Sequence, residues 1–162
     1  MKNLLLLRHA KSSWKEAGLS DHERSLNARG KRDAPTIGKL IAEENIVPDH
    51  VASSSAIRAR MTTELVLGAC GYQGEVAIID SLYLAEPQAF VEVLSSMPTD
   101  HDRIMAVAHN PGIEHFVEEL SGHYEAMPTA TLVSLELQID SWADIELNAT
   151  ARILNVWRPK EI

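Results

Sequence analysis

Leu4-Leu5-Leu6-Leu7-Arg8-His9-Ala10-Lys11-Ser12 is an apolar run that stops at an Arg-His pair, and Ala106-Val107-Ala108-His109-Asn110-Pro111 repeats the design a hundred residues later. A short, continuous apolar run bounded by polar and turn residues reads as a strand buried on both faces, the kind that builds parallel sheets. In such sheets the side chains just past the carboxyl ends of the strands line the ligand crevice. His9 and His109 are therefore expected to enter one pocket from two strand ends.

Outward from these two runs, strand-type segments at Asn3–Leu7, His50–Ser53, Val76–Ile79 and Ile104–Ala108 alternate with longer segments of helical period. That alternation predicts an α/β fold, a three-layer α/β/α sandwich with a mostly parallel central sheet. Asn27 is placed to cap a helix over Ala28–Glu44, in which Ala34, Ile37, Leu40 and Ile41 recur at helical spacing and Pro35 is the one discordant residue. A second helix is expected from near Ser55, with Ile57, Met61, Leu65 and Val66 on its apolar side and a stop at Gly68 and Gly71. Further helices are expected from Pro87 to Met97 and from Gly112 to Leu120-Ser121-Gly122. The last third changes character: Thr131–Ile139 and Ala151–Trp157 alternate in the manner of strands and are expected to form a hairpin-like pair near one edge.

The chain has 162 residues, 45% of them hydrophobic and 23% charged, the range of one globular domain spanning residues 1–162. A net charge of −8, from 23 acids against 15 bases, argues against a nucleic-acid partner, so any anion site must be local. The single Cys70 cannot form an intrachain disulfide, which suits a reducing cytoplasm. No apolar stretch approaches the roughly 20 residues needed to span a bilayer, so no membrane association is expected.

Three cationic or imidazole groups besides His9 converge in this scheme. Arg8 adjoins it, His109 ends the second run, and Arg58 falls in the first turn of the second helix, where free backbone N–H groups also favour an anion. Planar guanidinium forks match the oxygens of a phosphoryl group, and nearby cations keep an imidazole neutral and nucleophilic. His9 is then the nucleophile, with Arg8, Arg58 and His109 on the phosphoryl oxygens, and neither metal nor cofactor is called for.

Leu7-Arg8-His9, Ser53-Ser54-Ser55-Ala56-Ile57-Arg58-Ala59-Arg60-Met61-Thr62-Thr63-Glu64 and Val107-Ala108-His109-Asn110-Pro111 together resemble the motifs of the histidine phosphatase (phosphoglycerate mutase-like) superfamily, and the short chain is similar to its SixA-type phosphohistidine phosphatase branch. Ala10 stands where many relatives have glycine. The resemblance implies a phosphatase that passes through a phosphohistidine on His9 and acts on phosphohistidine carried by a partner protein. A small-molecule phosphomonoesterase and a non-catalytic phosphate-binding adaptor are the alternatives. A mutase would need a lid to shield its phosphoenzyme, and no connection is long enough to form one or to cap the site.

Larger relatives place a carboxylate acid in a later loop, and Glu86 of Leu82-Tyr83-Leu84-Ala85-Glu86-Pro87 occupies a comparable position; as the residue before a helix it has an equally good structural role. Lys11 is a further candidate for substrate binding, equally consistent with a solvated loop. Arg24 is a rim candidate whose default is a surface ion pair, and Arg60 should point away from Arg58. His22, His50, His101 and His123 are read as solvated or locally hydrogen-bonded; His115, one turn past the second motif, is a candidate to brace the pocket. Trp14 is placed to line an entrance.

Overall fold

The computed structural model describes residues 1–162. Six strands, β1 (Lys2–Arg8), β2 (His50–Ser54), β3 (Val76–Ile79), β4 (Arg103–Ala108), β5 (Leu132–Leu137) and β6 (Arg152–Trp157), form one sheet in the order β3-β2-β4-β1-β5-β6. β1 to β4 are mutually parallel, β5 runs antiparallel to β1, and β6 antiparallel to β5. The sheet thus carries the parallel core expected from the apolar runs. The terminal pair is joined by residues 138–151, and of the two strands β6 lies at the edge while β5 is interior.

The leucine run is continuous because both faces of β1 are buried. Leu4 and Leu6 pack with Ile104, Ala106 and Ala52 on one face, while Leu5 and Leu7 pack with Val51, Met105 and Val107 on the other. Helices α1 (Ala28–Glu43) and α2 (Ile57–Cys70) cover the second face through Ile37, Ile41, Ala59 and Val66. Helices α3 (Pro87–Ser95) and α4 (Gly112–Ser121) cover the first, where Phe90 and Phe116 stack at 4.7 Å.

The helix signals act as expected at most ends. Asn27 Oδ1 accepts the Gly30 N–H at 2.9 Å, and Gly122 closes α4 in a left-handed conformation, φ 78°. α1 passes through Pro35, its packing against α2 outweighing one missing backbone donor. α2 continues past Gly68 and stops at Gly71, φ 78°, because a lone glycine inside a helix costs only about 1 kcal/mol whereas the left-handed position ends it. α3 ends two residues before the expected Met97. All four parallel strands deliver their carboxyl ends to the same edge, and α2 and α4 start there.

Candidate active site

His9 follows β1 directly, and its backbone N–H donates to Ala108 O at 3.0 Å, which ties the two motif strands together at their ends. The loop behind it is pinned to α2: Thr62 Oγ1 accepts the Ala10 N–H at 2.9 Å and donates to Arg58 O at 2.7 Å. Both imidazoles are almost wholly enclosed, His9 at 6% and His109 at 2% exposure, and their ring centroids lie 5.0 Å apart.

The protonation of His9 follows from its neighbours. Its Nδ1 lies 2.7 Å from the Ala10 carbonyl, which can only accept, so Nδ1 carries the proton and Nε2 bears the free electron pair. Arg58 Nε donates toward that pair across a long 3.4 Å. Burial, followed by the charges of Arg58, Arg8 and Arg24, pushes the His9 pKa down to about 3, against the Ala10 contact that favours the cation. The ring is neutral at physiological pH with the free electron pair of Nε2 facing a guanidinium.

His109 is oriented by a relay from the α2 entry. The Ala56 N–H donates to Ser54 Oγ at 3.2 Å, and Ser54 Oγ lies 2.7 Å from His109 Nε2. With Ser54 donating to Nε2, the proton of His109 sits on Nδ1, a buried atom with no partner in the protein. Burial first, then His9 and Arg58, drives the His109 pKa down to about 3. Arg8 Nη1 donates to Met127 O at 3.0 Å, and its Nε is likewise buried and unpartnered. Two buried donors beside His9 thus lack acceptors, a demand that the oxygens of a tetrahedral anion can meet.

Asp21 and Tyr83, to which no sequence pattern assigns a role, complete the arrangement. Arg58 Nη1 donates to Asp21 O at 2.6 Å and Nη2 to Asp21 Oδ2 at 2.9 Å, while the Tyr83 hydroxyl donates to the same Oδ2 at 2.6 Å. The Tyr83 ring stands edge-on to His109 at 5.5 Å. Arg24 joins the rim, its Nε donating to Asp21 Oδ1 at 3.2 Å and its Nη1 to Ser12 Oγ at 2.7 Å, with its guanidinium 3.5 Å above the exposed Trp14 ring. His22 belongs to this rim too: Nε2 lies 2.9 Å from Ser55 Oγ, and the ring meets Tyr83 edge-on. The available signals were an Asp three residues before an Arg and a Tyr three residues before Glu86, neither of which says what it will touch.

Arg8, His9, Arg58 and His109 are brought together as expected. Glu86 is exposed in the position before α3, and its side chain caps nothing there. Lys11 contributes through its backbone, its carbonyl accepting the Asn27 N–H at 2.9 Å. His115 is exposed and braces nothing; Glu114 does so instead, accepting the Met127 N–H at 3.0 Å and thereby steadying the carbonyl that holds Arg8. His50 and His101 stack on each other at the opposite end of the sheet. Gly112 sets the floor of the Tyr83 loop, since a Cβ there would collide with the Ala85 carbonyl. No group of three or more His, Cys, Asp or Glu side chains gathers to hold a metal ion.

Residues 4–83, which include Arg8, His9, Arg58, Asp21 and Tyr83, match the model of the histidine phosphatase superfamily, branch 1. An uncharacterised chloroplast protein of Arabidopsis thaliana is 30% identical over 152 residues, covering 88% of this chain and 70% of that protein. The chain belongs to the histidine phosphatase superfamily. Among solved structures, a putative phosphohistidine phosphatase SixA from Agrobacterium tumefaciens superposes with a TM-score of 0.82 at 28% identity, covering 98% of this chain and 99% of that one. The protein histidine phosphatase SixA in complex with tungstate shares the fold, with a TM-score of 0.84 at 17% identity over 98% of both chains. This histidine phosphatase is thus of the SixA type, and the match extends over the strands carrying both histidines.

Proposed function

We propose that the protein is a phosphohistidine phosphatase acting without a metal, with His9 as nucleophile and a phosphohistidine side chain of a partner protein as substrate. The observation that carries this reading is the pairing of a neutral, well-aimed nucleophile with the lack of a carboxylic acid ready to protonate a leaving group. Asp21 is held ionised, its pKa pulled down to about 2 by the Tyr83 hydroxyl and then by Arg58 and Arg24. Glu86 is exposed, and its side chain makes no contact with the site's hydrogen-bond network. An alkoxide leaving group needs a proton in the transition state; an imidazole whose distal nitrogen is protonated departs neutral and does not.

His9 Nε2 attacks phosphorus in line as the substrate's P–N bond breaks, and the freed imidazole takes the bonding pair. The Nδ1 proton of His9, held by Ala10 O, compensates the new bond at Nε2. Arg8 Nε, Arg58 Nε and His109 Nδ1 supply donors for the equatorial oxygens. Water then attacks the phosphorylated His9, releasing inorganic phosphate and restoring Nε2.

A timed assay in EDTA with a phosphohistidine-bearing protein and with p-nitrophenyl phosphate tests the reading. His9→Ala should lower phosphohistidine hydrolysis at least about a thousandfold, and Arg58→Ala roughly a hundredfold. Faster hydrolysis of the ester, with Glu86→Gln impairing it, would turn the assignment to a phosphomonoesterase.

A further inference from the structure

Asp21 is the one carboxylate that touches the cation cradle, and it does so from the solvent side. Its side chain is 43% exposed, whereas Arg58 and both histidines beneath it are buried. It takes up the outer edge of Arg58 through Nη1 and Nη2, leaving the Nε edge toward His9, and it pairs with Arg24 Nη2 at 3.1 Å. One negative charge therefore compensates two guanidiniums at the mouth. In-line attack by His9 from the floor of the site places the leaving group on the far side of phosphorus, toward this rim of Asp21, Tyr83, Arg24 and Trp14.

We propose that Asp21 is a specificity-determining residue of this phosphatase site: its fixed charge at the exit selects against phosphoryl donors whose leaving group carries an additional anionic substituent such as a carboxylate, and admits those without one, imidazole among them. The inference rests on the phosphatase reading of the site, and it deepens the choice of substrate class. A carboxylate on the leaving group would come close to Asp21 in a partly desolvated cleft, where like charges repel far more strongly than in bulk water. The hydrogen bond from Tyr83 keeps Asp21 from swinging away, so the repulsion cannot be relieved by a rotamer change.

Two aryl esters with matched chemistry isolate the effect: p-nitrophenyl phosphate and 3-carboxy-4-nitrophenyl phosphate, which differ by one carboxylate on the leaving group. Wild type should prefer p-nitrophenyl phosphate, the ester without the carboxylate, in kcat/KM, and Asp21→Asn, which keeps an acceptor for Arg58 and Tyr83, should reduce that preference about tenfold. Asp21→Glu, which keeps the charge, should slow both esters together and keep the ratio of their kcat/KM values within about twofold of the wild-type ratio. Orthovanadate binding by calorimetry probes the same charge without turnover and should tighten several-fold in Asp21→Asn only. A preference unmoved in Asp21→Asn, or moved equally in Asp21→Glu, overturns the proposal, because a purely structural role slows both esters together. Should the ester preference shift while phosphohistidine protein is left untouched, the choice of physiological substrate fails and the role of Asp21 stands.

Discussion

His9 and His109 show how a fold sets the chemistry of a residue. Each is an imidazole of ordinary basicity moved by enclosure and neighbouring cations to a pKa of about 3. Between pH 6.5 and about 3 the unfolded chain binds protons at these two sites and the folded chain does not, so folding stability is complete above pH 6.5 and falls as the pH drops through that window. Urea unfolding of the ligand-free protein should accordingly show lower stability at pH 5 than at pH 7. NMR titration should find the His9 and His109 ring resonances unchanged between pH 5 and 8. A His9 resonance titrating near 6.5 would show that the ring is not held neutral. The residues that carry these histidines were legible because each directly follows a continuous apolar strand. Asp21 and Tyr83 were not: they meet Arg58 and each other across 37 and 62 positions, and no periodicity encodes that contact.

At the level of elements, legibility tracked burial. β1 and β4 are enclosed on both faces and therefore spell themselves out as unbroken apolar runs, and the Asn27 cap and the Gly122 stop fix helix ends through local chemistry. The order of the strands across the sheet, and the interior place of β5 beside β1, depend on long-range pairing that local patterns do not record. Two glycines separate local from tertiary demands. Gly68 lies inside α2 with open space around its missing Cβ, so Gly68→Ala should stabilise the protein by up to about 1 kcal/mol through helix propensity alone. Gly112 begins α4 against the Ala85 carbonyl, so Gly112→Ala should cost about 1–3 kcal/mol by overpacking. The same substitution should also lower kcat/KM, since the displaced loop carries Tyr83. Thermal unfolding and phosphatase assays of the two variants side by side would check both expectations; equal stabilities would mean that the loop yields freely.

Over the whole molecule the charge is unevenly spread. Residues 8–32 carry seven bases, Arg8, Lys11, Lys15, Arg24, Arg29, Lys31 and Arg32, against three acids, Glu16, Asp21 and Glu23, within a chain of net charge −8. This segment runs from the end of β1 through the site rim into the first turns of α1, so this side of the site carries an excess of positive charge within an acidic chain. Such polarity steers an anionic partner toward the site and away from the rest of the surface, and salt screens that steering more strongly than it screens contacts inside the cleft. For a phosphohistidine-bearing protein of acidic surface, kcat/KM should fall several-fold between about 50 and 500 mM NaCl. For phosphoimidazole, which has no surface to steer, the change should stay within about twofold. Charge reversal at Lys15, an exposed residue outside the site's hydrogen-bond network, should reduce the salt slope on the protein substrate and leave phosphoimidazole turnover unaltered. Parallel salt dependences for the two substrates would mean that recognition ends at the phosphoryl group and that the basic rim takes no part in choosing the partner.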